Sequence, residues 1–152
     1  MTEMRTRPPT TLIKTVARLA LVLGVAHPAL AQGADTLTTT ASKVYAGAQA
    51  AKGRQAFQLT CLSCHKPTEL SGDKFWSGVV GKSLRDFFDY LRTSMPQDNP
   101  GGLDEDDYVN LTAYILQLNG MPAGERALTA DSTALAKIRV VPADTTKKGA
   151  TR

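Results

Sequence analysis

The 152-residue chain has two cysteines, two histidines and nine aromatic residues, and each scarcity excludes something. Two cysteines cannot build the multiple-disulfide framework of a small secreted scaffold. Its clearest uninterrupted apolar run, Leu19 to Ala26, is followed by Pro28, far short of the about 20 apolar residues a spanning helix needs, so no stable membrane anchor is expected. There is no glycine-rich phosphate loop, no obvious pair of carboxylates in an apolar setting, and no strand-like alternation or internal repeat of useful length. A charged share of 21% beside 42% hydrophobic residues excludes wholesale disorder. The nine aromatics all lie between Tyr45 and Tyr114, which puts the packed core in that window.

A formal charge of +4 and a pI near 9.2 would ordinarily suggest nucleic acid or an acidic surface as partner. The charge, however, is concentrated at the start. Arg5, Arg7, Lys14 and Arg18 stand against Glu3, the apolar run follows, and Ala29-Leu30-Ala31 supplies the small residues a signal peptidase reads. Residues 1–31 are therefore expected to be a cleaved signal peptide and the mature protein to be periplasmic. Four basic residues and one acid leave with it, which takes the formal charge from +4 to +1 and removes most of the case for nucleic acid.

Residues 32–44, poor in apolar side chains, read as a flexible linker. Three main helices are expected beyond it. The first runs from Ala46 to Thr60, with Gly53 and Phe57 on one face. Ser83 caps the second, whose stripe is Leu84, Phe87, Phe88 and Leu91, and Met95-Pro96 ends it. Asp104 caps the third, with Glu105, Asp106 and Asp107 in its first turn, Tyr108, Leu111, Thr112, Ile115 and Leu118 along one face, and Asn119-Gly120 closing it. Residues 45–124 form the expected domain, and residues 125–152 an extension that is partly disordered, with Ser132 to Val141 as a helical or extended segment packing back on it.

The chemistry sits at the end of the first helix, in Cys61-Leu62-Ser63-Cys64-His65. Two thiols three residues apart on one helical turn can form thioethers to the two vinyl groups of a haem, and the adjacent imidazole then comes under the iron. A thioredoxin-like pair needs a strand-helix-strand setting that is missing here. A structural zinc site wants four ligands where the mature chain offers three, and a plain disulfide would leave His65 to chance. Covalent attachment of one haem c through Cys61 and Cys64, with His65 as proximal ligand, is the favoured reading. Pro67 would shape the loop whose carbonyl accepts from the His65 ring, and Phe75 and Trp76 would wall the haem. For the second axial ligand the mature chain offers Met95 and Met121, each before a proline; Met95, at a helix end beside a turn-rich loop, is favoured over Met121 or an open sixth position.

Gln49 to Gly53 with Phe57, the C-L-S-C-H run, Phe75-Trp76, Leu84 to Phe88, Thr93 to Pro96, and Tyr108 with Ala113 to Leu116 together resemble a class I mono-haem c-type cytochrome, of the periplasmic, dehydrogenase-associated type. The resemblance implies an all-α, cytochrome c-like fold with three main helices around one covalent haem, and a crossing of the first and last helices that sets Gly53 and Phe57 against Tyr114. It also implies an electron carrier, not an enzyme, passing electrons between redox partner proteins such as a periplasmic dehydrogenase and a terminal oxidase. A haem-based sensor or catalytic domain with an open sixth site is the alternative. Lys66 stands where relatives often have glycine, and the loop from His65 to Phe75 is short.

Overall fold

A computed structural model describes residues 37–143. The signal peptide expected at residues 1–31 and the end of the extension lie outside them. Five α-helices carry the structure: α1 Gly47–Thr60, α2 Asp73–Val79, α3 Leu84–Ser94, α4 Glu105–Leu118 and α5 Ser132–Ala136. Two-residue strands β1 Thr38–Thr39 and β2 Ile138–Arg139 pair in parallel, Thr38 opposite Ile138, and are the whole of the sheet among the described residues. The fold is all-α, as expected.

The three long helices begin and end for local reasons. Ser83 Oγ accepts from the Asp86 amide at 3.2 Å while the Asp86 carboxylate accepts from the Ser83 amide at 3.0 Å, a reciprocal cap that starts α3. Asp104 holds the N-cap position of α4 without a side-chain capping bond, so the first-turn acids act through the helix dipole alone. Gly120, at φ 78°, closes α4 with backbone that glycine adopts without strain. The sequence reading missed α2, which opens after Gly72 and is too short to show a period.

Helices α1 and α4 cross at the centre. A Cβ on Gly53 would overlap the Asn110 carbonyl and sit 2.9 Å from the Leu111 nitrogen, so only glycine lets the backbones approach this closely. Phe57 and Tyr114 pack beside that contact with ring centroids 5.5 Å apart. Unlike the one-faced helix expected from its spacing, α4 is buried almost all round: Tyr108, Val109 and Leu111 to Leu116 are all covered. One side joins Phe57 and Phe75; the other joins Leu84, Phe88, Met121, Leu128 and Leu135.

That second side carries the packed unit past residues 45 and 124, and the segment from Ser132 packs back on it as expected. Residues 38–44 are not a free linker and the domain does not stop at 124. Thr40 is fully buried, and its hydroxyl donates to the Val141 carbonyl and accepts from the Val141 amide, both at 3.1 Å. Gln49 makes a similar two-point contact with the backbone of Leu128, at 2.8 Å each way. Leu128, Leu135, Ile138 and Val140 then bury against α3 and α4. A few apolar residues in a polar stretch thus seal the core from both ends of the described chain, a long-range pairing that local composition does not report.

Candidate haem site

Cys61 is the C-cap of α1, its amide bonded to the Phe57 carbonyl at 2.9 Å. The chain continues as a turn, with the amides of Cys64 and His65 donating to the Cys61 carbonyl at 3.1 and 2.8 Å. Both thiols and the imidazole are thereby carried on one turn at the end of a helix fixed by its crossing with α4. Cys61 and Cys64 are free thiols, the first half-buried and the second exposed. Burial pushes the Cys61 thiol up, opposed by the Thr60 hydroxyl 3.4 Å from Sγ.

Cys61 belongs to an apolar cluster with Phe57, Phe75, Leu111, Tyr114 and Ile115. Phe75 is buried and meets Trp76 and Phe87 edge-on, with centroids 5.0 and 5.5 Å away. Trp76, Phe87, Leu91 and Leu103 are only half-buried by their protein neighbours. An apolar, partly open wall with a cysteine in it fits a porphyrin. Among the described residues, no three His, Cys, Asp or Glu side chains gather as a conventional metal site.

Met95 caps α3, one turn after Leu91, and its carbonyl accepts from Tyr108 Oη at 2.7 Å. Tyr108 in turn precedes Leu111 on α4, so the Met95 segment is tied to the helix that lines the aromatic cluster. Met121 lies elsewhere. It is 3% exposed in the core formed with the C-terminal segment, and Tyr45 Oη donates to its carbonyl at 2.6 Å.

Pro67 opens a 3₁₀ turn, Pro67–Leu70, and does not line the aromatic cluster. It lines instead a groove of about 520 Å³ with Leu62, Arg54 and Gln117, and with Phe57 and Tyr114 from the edge of that cluster; neither thiol, nor His65, nor Met95 lines that groove. The carbonyl expected to accept from His65 is not observed: Nδ1 faces the Glu69 carboxylate, with Oε2 at 3.6 Å. The Lys66 amide, donating to Glu69 Oε2 at 3.3 Å, lowers that carboxyl's pKa, and His65 and Lys74 lower it further. Asn119, read from sequence as a cap, also fixes this loop: its Nδ2 donates to the Leu70 carbonyl at 2.8 Å and its Oδ1 accepts from the Gly72 amide at 3.1 Å. Glu69, Tyr108 and Asn119 thus support the site; Tyr108 carried a local signal as an aromatic on the helix face and Asn119 as a cap, whereas Glu69 carried none.

Residues 48–115, less than half of the chain, match the family model described as cytochrome c oxidase, cbb3-type, subunit III. This match supports a class I c-type cytochrome domain. The matched span starts in α1 and ends in α4, so it takes in the C-x-x-C-H turn and the helix crossing that supports it. No curated protein and no solved structure matches. For a c-type cytochrome the cofactor is covalent haem c, and the two thiols at 61 and 64 fit its attachment. Haem-based electron transfer and redox partner proteins follow from the same assignment. Among the described residues no helix is long and apolar enough to cross a membrane.

Proposed function

We propose that this cytochrome is a periplasmic electron carrier whose haem iron is ligated by His65 and Met95. The observation that supports the reading is that Cys61, at the end of α1, and Leu91, one turn before Met95 at the end of α3, pack on the same apolar cluster around Phe75. Bound haem c supplies a one-electron ferric/ferrous couple, and a thioether opposite an imidazole favours the ferrous state. The chain's residues do the rest. Cys61 and Cys64 fix the haem position, Phe75 and Trp76 exclude water from its face, and Tyr108 holds the backbone from which Met95 reaches inward.

The basic start and apolar run support export, and the mature chain then acquires haem outside the cytoplasm. The matched family is an oxidase subunit, which favours a terminal oxidase as acceptor, with a periplasmic dehydrogenase as donor. Exposed Lys52, Lys66, Lys74 and Lys82 are available to steer an acidic partner. Ferric-state absorption tests the ligand pair. The weak sulfur-to-iron charge-transfer band is expected in the wild type, lost in Met95→Ala and kept in Met121→Ala; a wild type without the band has an open or differently filled sixth position and contradicts the carrier reading.

A further inference from the structure

The geometry points to Glu69 as the acceptor that orients the His65 imidazole through Nδ1–H, in place of a backbone carbonyl. The inference rests on His65 binding iron through Nε2, as proposed above, which leaves Nδ1 as the protonated nitrogen.

Three observations place the carboxylate there by design of the turn. Pro67 at the first position of the 3₁₀ turn fixes the backbone direction immediately after the histidine. The Glu69 amide donates back to the Lys66 carbonyl at 2.9 Å, and Glu69 Oε2 accepts from the Lys66 amide at 3.3 Å, so both the backbone and the side chain of Glu69 are tied at the residue next to His65. The same oxygen lies 3.6 Å from His65 Nδ1, just beyond hydrogen-bond length, and among the described residues it is the one polar group recorded against the ring.

An anionic acceptor does more than a neutral carbonyl. It pulls the Nδ1 proton harder, leaves more electron density on the ring, and makes Nε2 the stronger donor to ferric iron. Glu69 is a positioning residue that lowers the reduction potential relative to a carbonyl-oriented histidine.

The test uses the matured holoprotein and Glu69→Gln. The amide oxygen of glutamine can still accept from the Lys66 amide, so the turn is retained. Its ferric/ferrous equilibrium is expected to move roughly tenfold toward ferrous, which is about 59 mV upward for one electron. A carboxylate acting only through its field is screened within about 3 Å at 1 M salt. A shift that persists at that salt supports the hydrogen bond; no shift, or one that collapses there, overturns it. In the ferrous wild type the His65 Nδ1–H proton is expected to be protected from exchange and to lose protection in Glu69→Ala, which has no side-chain acceptor; rapid exchange in the wild type overturns the inference without recourse to any variant. Covalent haem with an unchanged potential in Glu69→Gln sinks this inference alone, whereas a wild type without covalent haem removes the reading on which it rests.

Discussion

Gly53→Ala sets two effects of opposite sign against each other. Alanine is favoured over glycine in a helix interior by about 1 kcal/mol, so propensity alone predicts a more stable protein. Against that, the new Cβ would lie 2.9 Å from the Leu111 nitrogen and would overlap the Asn110 carbonyl. These are backbone atoms inside α4 and cannot swing aside as a side-chain end would. Restoring an ordinary contact of about 3.5 Å or more means separating the helices by more than an ångström, roughly 1.5 Å. Overpacking of this kind costs about 1–3 kcal/mol, and the looser contact of Phe57 with Tyr114 adds to it. A contact this close belongs at the upper end, about 3 kcal/mol, so the net loss is roughly 2 kcal/mol after the propensity gain, and at about 4–8 °C per kcal/mol for a domain of this size the melting temperature falls by roughly 8–16 °C. Thermal unfolding of the holoprotein followed by far-ultraviolet circular dichroism measures it. A variant melting at or above the wild-type temperature would refute the close crossing.

Two further outcomes follow from the caps and the cluster. Asp86, held low chiefly by the Ser83 hydroxyl and amide, has a folded pKa below its ordinary 3.8; its contribution is complete above that value and is lost as pH falls through the folded one. Asp86→Asn is therefore expected to be slightly less stable than wild type at neutral pH and to show a flatter decline in acid, and parallel acid melting curves would contradict the cap. Protein made without haem maturation is expected to be largely unfolded, because Trp76, Phe87, Leu91 and Leu103 are only half-covered by protein. Native-like helix content by circular dichroism would count against it.

The long helices were legible in the sequence because their signals are local. Ser83, Asp104 and Asn119-Gly120 mark the ends of α3 and α4, and a proline after Met95 stops α3 where expected. Phe57 packs on Tyr114 as the family resemblance implied, while Gly53 meets the backbone of Asn110 and Leu111 in the same crossing. The clasp of Thr40 with Val141 and of Gln49 with Leu128 was not legible, since each pairs residues far apart in the chain and uses polar side chains common in loops. The same holds at the site. The cysteines and histidine announce themselves by spacing, whereas Glu69 near the His65 ring depends on the path of a four-residue turn, and Asn119 on the approach of a distant loop.

The account stands most directly on one measurement: haem staining and mass analysis of the denatured, matured chain. One haem covalently held on wild type, and absent when Cys61 and Cys64 are both replaced by alanine, is the result predicted. A denatured chain of unmodified mass, with Cys61 and Cys64 joined to each other, would contradict it.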